Sequence, residues 1–376
     1  MRRKRGRLHL QPASALRVGS LKFLGEGVAV RRLSLKVPIL LLWWLTHVAP
    51  SWAQQPESIA GAVIPQNLAP AEDWSSLSLA GSHLQAQPPV FGGKADEPQF
   101  TRELLQMNWR QGDPIDLYVI RPKGVAKPPV VLYLYSYPSE TDRFRDDGYC
   151  ERITAQGFAA VGFVSALDGH RYHSRPMKEW FVSELQEALG STVHDVQMIL
   201  NFLASRDDLD LTKVGMFGEG SGGTIAILAA TADPRIKVLD LLDPWGDWPD
   251  WMRDSNIIPE NERPNYLKPE FLQRVAGLDP VKWLPQLQDR RIRIQQVMDD
   301  RTTPKVAKER IDSAAPTTAT VLRYDDEMRL FEAASGGRIF EWIKNQFRPV
   351  LPLRSGESVV QGSQTDSRVT RPSQSD

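Results

Sequence analysis

The chain has 376 residues, enough for one large α/β domain with appendages or for two smaller domains. Lys and Arg number 46, as do Asp and Glu, so there is no net charge to attract nucleic acid or an anionic membrane. A single cysteine, Cys150, excludes an internal disulfide and any cysteine-based metal cluster. We predict no nucleic-acid partner, no cofactor and no metal.

The first 53 residues have the features of an export signal. Basic stretches, the second of them RRLSLK, precede the apolar run VPILLLWWLTHVAP. At about a dozen residues this run is short of the roughly twenty that span a bilayer. Small residues Ser51 and Ala53 flank Trp52, so we predict a signal peptide over residues 1–53, cleaved after Ala53. The mature protein would then be periplasmic or extracellular without a stable membrane span, and an uncleaved anchor is the alternative.

The remainder divides by composition into an arm, a domain and a tail. Residues 54–98 are rich in Pro, Ala, Ser and Gln without a sustained period of 2 or 3.6, which is typical of a linker or a loosely attached arm. Residues 350–376 are polar and are predicted to be a disordered tail. One domain is predicted between them, over residues 99–349.

Short apolar runs alternate with helical patterns inside this domain. The runs VVLYLY and FAAVGFV are apolar almost throughout, as strands buried on both faces are. In VHDVQMILNFL the apolar residues follow helical spacing. The alternation predicts an α/β fold with a mostly parallel sheet of about eight strands and helices on both faces. Functional sites of such sheets lie at the carboxyl ends of the strands.

A segment dense in Trp and Pro interrupts the alternation at residues 245–285. It is too long for a connecting loop, so we predict a helical cap inserted between the sixth and seventh strands, over the carboxyl edge of the sheet. Trp245, Trp248 and Trp251 either line an apolar pocket beneath this cap or pack the cap onto the sheet.

Several motifs follow one another in a familiar order. They read LYLYSYPSETDRF, LDLTKVGMFGEGSGGTIAILAA, DPRIKVLDLLDPWG and RIRIQQVMDDRTTP. Together they resemble the oxyanion loop, the nucleophile elbow with its helix, the next strand and the acid-bearing strand end of the α/β-hydrolase superfamily. The most similar branch includes dienelactone hydrolases and prolyl-oligopeptidase-type peptidases. The resemblance covers most of residues 110 to 350 and implies the α/β-hydrolase fold.

The elbow itself departs from the family motif G-x-S-x-G, in which small residues flank a nucleophile on a sharp strand-to-helix turn. The favoured register of FGEGSGG makes Gly218 and Gly222 the flanking residues and leaves Gly220 in the nucleophile slot, the central position of the motif. The other register puts Ser221 in the slot, with Glu219 where a small residue is needed. In either register the first amides of the helix are suited to bind an anion or a carbonyl oxygen. Alternatively, Ser221 is an N-cap.

The sequence offers a candidate for the acid of a catalytic triad but no histidine at the position expected for the base. Asp300 stands where the family has its acid, although it is alternatively a residue of a strand-end turn. No histidine follows the last strand, where the family histidine is expected. His170 and His173 lie on a loop at the carboxyl edge and are candidate unorthodox bases, or they only fix that loop. With Asp168 they could instead form a metal site, a weak signal because no other His or Cys supplies a third ligand of the usual kind. Glu219, in the turn itself, is another candidate acid or base.

The loop YSYP replaces the family's His-Gly, and the backbone around Ser136 and Tyr137 is predicted to supply oxyanion donors. With Gly220, Gly222, Trp245 and Trp248 these residues complete the predicted oxyanion site and pocket. The sequence thus predicts an exported ester- or amide-bond hydrolase that uses Ser221 and Asp300 with an unorthodox base on a small-molecule or peptide substrate. The alternative is an inactive hydrolase-fold protein that binds a small or peptide-like ligand under the cap.

Overall fold

The computed structural model describes residues 72–110, 112–167, 171 and 181–347. Nine strands form one sheet in the order β1-β2-β3-β5-β4-β6-β7-β8-β9. In chain order the strands are β1 (Val90–Asp96), β2 (Phe100–Met107), β3 (Ile115–Pro122), β4 (Pro129–Leu134), β5 (Ala159–Phe163), β6 (Asp210–Glu219), β7 (Ile236–Leu242), β8 (Arg291–Val297) and β9 (Thr320–Tyr324). The three pairings from β1 to β5 are antiparallel, and the five pairings from β5 to β9 are parallel. This architecture confirms the predicted fold class.

Helices cover both faces of the sheet. They are α1 (Asp147–Thr154), α2 (Leu185–Ala204), α3 (Ser221–Ala232), α4 (Trp248–Asp254), α5 (Arg263–Tyr266), α6 (Pro269–Val275), α7 (Pro280–Trp283), α8 (Lys305–Ala314), α9 (Glu327–Ala334) and α10 (Arg338–Gln346). Alternate residues of β4 point to opposite faces. Leu132 therefore packs in the core that includes α2 and α3, while Tyr133 packs in a second, aromatic core that includes α1 and α10. Among the described residues no helix is both long and apolar enough to cross a membrane.

The first strand lies inside the segment predicted as a linker or loose arm. β1 pairs antiparallel with β2, with Val90 opposite Gln106, so the sheet has nine strands instead of about eight. Further upstream, Glu72 is buried and Leu77 belongs to the core. The linker prediction is thus wrong for these described residues. The apolar side chains of β1 are largely exposed, so its sequence lacks the alternation of apolar and polar residues that marks a half-buried strand.

The segment between β7 and β8 is the helical insertion that the Trp- and Pro-rich composition predicts. It holds α4, α5, α6 and α7, and it falls after the seventh strand of the chain because β1 adds one to the count. The rings of Trp245 and Trp251 have centroids 5.0 Å apart, and Trp248 meets Trp251 edge-on at 5.7 Å. All three side chains are buried, so this cluster packs the insertion onto the sheet.

Candidate active site

The strand-to-helix turn lies at the carboxyl end of β6. Between β6 and α3 stands Gly220, with φ 55° and ψ −116°, a backbone conformation that side chains other than glycine adopt only under strain. A Cβ atom at Gly218 would lie 2.3 Å from the carbonyl oxygen of Gly222, and one at Gly222 would lie 1.9 Å from that of Leu134. These two glycines are therefore the flanking residues, and Gly220 occupies the nucleophile slot, as the favoured register predicts.

The space beside the nucleophile slot is occupied by a side chain from another loop. A Cβ atom at Gly220 would lie 2.4 Å from Ser136 Oγ and 3.1 Å from Trp245 Nε1. Ser136 belongs to the loop that follows β4, the strand next to β6 in the sheet. Its hydroxyl therefore stands where a side chain at position 220 would project.

Ser221 is the first residue of α3 and is completely buried. Its Oγ accepts a hydrogen bond of 3.0 Å from the backbone N–H of Tyr137. The N-cap position belongs to Gly220, so Ser221 is not the N-cap of this helix. Because the Ser221 hydroxyl is buried and already accepts a hydrogen bond, the geometry favours a role in holding the loop after β4 over the predicted role as nucleophile.

A cavity of about 720 Å³, which we call the elbow cavity, opens at the carboxyl ends of β4, β6, β7 and β8. Its lining includes five residues of the predicted site: Ser136, Glu219, Gly220, Trp245 and Asp300. Trp248, predicted as a pocket residue, lies outside this lining and is buried in the core instead. Residues outside the predicted site also line the cavity, namely Tyr135, Arg143, Arg152, Phe217, Leu242, Asp243, Val297, Thr302, Glu327, Leu330, Phe331, Ala334, Ile339 and Phe340.

Asp300 closes a turn at the end of β8. Its Oδ1 accepts a hydrogen bond from the N–H of Thr302 at 2.9 Å, and its Oδ2 accepts one from the N–H of Thr303 at 3.0 Å. The ammonium of Lys308 lies 3.7 Å from Oδ2. Both carboxylate oxygens are thus engaged within the loop, which is the strand-end turn considered as the alternative for this residue.

Asp243, at the end of β7, is the residue of the site with the most strongly altered acidity. Its Oδ1 accepts a hydrogen bond of 2.9 Å from the N–H of Val297 and lies 3.7 Å from the Lys308 ammonium. Burial nevertheless raises the pKa of the Asp243 carboxyl from 3.8 to about 7, and the negative charges of Asp300 and Glu219 add to the effect. Its position directly after an apolar strand was the signal in the sequence that could have identified it.

Lys308 on α8 joins the ends of β7 and β8. The side chain is 1% exposed, and its ammonium donates hydrogen bonds to the carbonyl oxygens of Val297 and, at 2.9 Å, Asp300. The carboxylates of Asp243 and Asp300, each 3.7 Å away, balance the positive charge of this buried ammonium. It therefore holds two cavity carboxylates at a fixed separation.

Glu219 ends β6 and lies half-buried beside Arg143, whose Nη2 is 3.9 Å from its Oε2. Burial raises the pKa of the Glu219 carboxyl, Arg143 lowers it, and the nearby charges of Glu327 and Asp300 raise it further. The Arg143 guanidinium also lies 4.1 Å from the centroid of the Tyr135 ring, an attractive cation–π contact. The elbow cavity thus combines acidic groups of raised pKa with nearby cationic side chains.

The segment after the last strand, where the family histidine is expected, contributes an acidic residue to the cavity. α9 follows β9 and begins with Glu327, which lines the elbow cavity. The family resemblance predicts only a histidine after the last strand, so this carboxylate is not among the residues predicted from the sequence. His170 and His173, the two candidate bases, lie outside the described residues. Among the residues that are described, no group of three or more His, Cys, Asp or Glu side chains is placed to hold a metal ion.

Comparison with known proteins agrees with this architecture. A family model described as X-Pro dipeptidyl-peptidase (S15 family) matches residues 111–272. A protein of Bacillus subtilis (strain 168) named "Putative hydrolase YtaP" is 25% identical over 150 residues, 36% of this chain and 49% of its own length. The chain thus spans about half the length of that curated relative.

Two solved structures are similar to the chain in three dimensions. Acetyl xylan esterase 1 from Thermoanaerobacterium sp. JW/SL YS485 is 14% identical, with 69% of this chain and 88% of that chain covered and a TM-score of 0.53. Methylesterase BT1017 is 15% identical, with 70% and 59% covered and a TM-score of 0.50. These likenesses agree with the fold that the sheet order and the elbow define.

The chain therefore has the α/β-hydrolase fold, as the order of its motifs predicts. The finer resemblance to dienelactone hydrolases and prolyl-oligopeptidase-type peptidases stays a prediction.

Proposed function

We propose that the protein is an exported hydrolase of ester or amide bonds that acts on a small-molecule or peptide substrate. Similarity to a peptidase family model and to a curated protein named as a hydrolase supports the reaction class. The observation that carries the proposal is the elbow cavity, because it brings a serine hydroxyl, the strand-to-helix turn and carboxyls of raised pKa to one place. Export rests on the basic and apolar N-terminal pattern alone.

Asp243 is the group best suited to replace the missing histidine. Hydrolysis requires a group that takes a proton from the attacking oxygen and returns one to the leaving group. A carboxyl with a pKa of about 7 is partly ionised at neutral pH, so it serves in both steps. Glu219 is the second candidate, since burial also raises its pKa.

The start of α3 supplies the electrostatic part of the site. The N–H groups of Ser221 and Gly222 open the helix and have no acceptor within it. Together with the positive end of the helix dipole they are suited to stabilise the oxyanion that forms when a carbonyl is attacked.

The cavity lining suits a substrate with an apolar portion next to a polar one. Leu330 and Phe331 on α9, with Ile339 and Phe340 further along the chain, contribute apolar surface. On the polar side, Arg143 stands among the carboxylates. An acyl group or an apolar side chain of a peptide matches the first part, and the ester or amide group matches the second.

A tryptophan placed in the cavity tests the proposal. Ala334 lines the cavity, whereas its neighbour Ala333 is exposed on the same helix and lies outside the lining. We expect Ala334→Trp to lower kcat/KM for p-nitrophenyl acetate and for dipeptide p-nitroanilides by more than about tenfold because it excludes the substrate. Ala333→Trp should match the wild type. Absence of turnover by the wild type, or equal loss in both variants, contradicts the proposal.

A second candidate function is ligand binding without turnover, and the glycine in the nucleophile slot favours it. This candidate requires that wild-type protein bind an ester or peptide in the cavity with no release of product. Titration calorimetry with a non-hydrolysable phosphonate analogue, run on wild type and Ala334→Trp, separates it from hydrolysis when combined with the turnover assay.

A further inference from the structure

We propose that Ser136, and not Ser221, is the nucleophile of this site. The inference deepens the proposed hydrolase function and rests on it. A nucleophile supplied by the loop after β4 would stand in for the side chain that Gly220 lacks, from the neighbouring strand end instead of from the elbow itself.

The Ser136 hydroxyl lies where the side chain of an elbow nucleophile would project. Ser136 Oγ lies 2.4 Å from the place of a Cβ atom at Gly220, so the hydroxyl occupies the space of an elbow side chain. The elbow presents that space to the carboxyl edge of the sheet, and both Ser136 and Gly220 line the elbow cavity. A substrate carbonyl that enters to meet the elbow would therefore meet the Ser136 hydroxyl.

The two serines differ in whether their hydroxyls are accessible from the elbow cavity. Ser221 is 0% exposed, is absent from the cavity lining and has its Oγ in a hydrogen bond with the N–H of Tyr137. Ser136 is only partly buried and lines the cavity. Within the described part of the chain its Oγ makes no hydrogen bond. Only one of the two hydroxyls is thus available to a substrate.

The backbone that carries Ser136 is held in place by hydrogen bonds. The peptide group that joins Ser136 to Tyr137 is held at both of its polar atoms. Its carbonyl oxygen accepts a hydrogen bond of 3.1 Å from the N–H of Ser139, and its N–H donates to Ser221 Oγ at 3.0 Å. Ser221 is in this account a positioning residue, because it fixes the backbone that carries the nucleophile.

The reaction balances with groups of the cavity and water. Ser136 Oγ attacks the carbonyl carbon of the substrate and its proton passes to an ionised cavity carboxylate, for which Asp243 is the best candidate. The bond from the carbonyl carbon to the leaving oxygen or nitrogen breaks, and the carboxyl returns the proton to the leaving group. Water then attacks the acyl carbon and gives a proton to the same carboxylate. The bond from that carbon to Ser136 Oγ breaks, the carboxyl passes the proton to Ser136 Oγ, and the acid leaves.

Covalent labelling with a fluorophosphonate probe, read by peptide mass spectrometry, tests the assignment on the full chain. We expect the label on Ser136 in the wild type and no label in Ser136→Ala, with kcat/KM for p-nitrophenyl acetate lower by more than ~100-fold. Ser221→Ala should keep the label on Ser136, at a reduced labelling rate. Ser139→Ala, a change of an exposed residue in the same loop, should label as the wild type does. Thermal melts identify a variant that has failed to fold.

The possible failures are distinguishable. A label on Ser221, or a label and turnover that survive in Ser136→Ala, overturns the assignment and leaves the hydrolase function in place. Turnover in the wild type with no serine labelled also overturns it, since water would then attack directly. Neither turnover nor label in folded wild-type protein overturns the proposed function, and the nucleophile assignment with it.

Discussion

Replacing Gly222 with alanine is expected to lower the free energy of unfolding by more than about 4 kcal/mol, because the added methyl group has no space. Its Cβ would lie 1.9 Å from the carbonyl oxygen of Leu134 and 2.7 Å from the carbonyl carbon. Both are backbone atoms at the end of β4, which is hydrogen-bonded to β5 on one side and to β6 on the other. Neither the strand nor α3 can move aside without breaking the centre of the sheet.

Urea unfolding followed by circular dichroism measures this loss. Gly277→Ala is the matched control, because its Cβ would meet only the carbonyl oxygen of Ser75, at an ordinary 3.8 Å. We expect the control to stay within about 0.5 kcal/mol of the wild type. If the two variants were equally stable, the close approach of the elbow helix to β4 would be contradicted.

Removing the carboxylate of Asp195 is expected to cost about 3–5 kcal/mol of stability. The residue lies on α2 and is 0% exposed. It accepts hydrogen bonds from Trp109 Nε1 at 2.8 Å, from Arg171 Nη1 at 2.7 Å and from Arg110. Asp195→Ala leaves these buried donors without their acceptor, and each such donor is costly in an apolar interior.

The same network explains why the effect should spread beyond α2. Arg110 also binds Glu72, and Arg171 binds Asp113 through two hydrogen bonds of 3.0 and 2.8 Å. Losing Asp195 therefore loosens the segment before β1 and the connection between β2 and β3. Thermal unfolding of Asp195→Ala against Asp207→Ala, an exposed aspartate that follows the same helix, measures the difference. Equal melting temperatures would contradict a structural role for the network.

The parts of the site in which sequence and structure agree are those governed by local sterics. The spacing of Gly218 and Gly222 around position 220 follows from a turn too tight for side chains, and that requirement is visible in a few adjacent residues. The parallel strands are also predictable, because strands buried on both faces are apolar throughout. Asp300, selected by its place after such a strand, lines the cavity, but its carboxylate closes a turn and its role as the acid stays a prediction.

The remainder depends on contacts between residues far apart in the chain. Ser136 reaches the nucleophile slot only because β4 lies beside β6, and no local pattern in YSYP shows it. Lys308 lies between Asp243 and Asp300 only after α8 has packed against the ends of two strands. The strand β1 is similarly hidden, since it is defined by pairing with β2 and its large apolar side chains are exposed.

The pH dependence of ester hydrolysis most directly tests the central claim, that carboxyls of the elbow cavity act as general acid and base in place of the missing histidine. Asp243 has its pKa raised from 3.8 to about 7, so the ionised form that accepts a proton dominates only above about pH 7. We expect kcat/KM of the wild type for p-nitrophenyl acetate, corrected for spontaneous hydrolysis, to rise about tenfold per pH unit below pH 7 and to level off above it. Asp243→Asn should show a low, pH-independent rate across this range. A variant whose rate and pH profile match those of the wild type would contradict the claim.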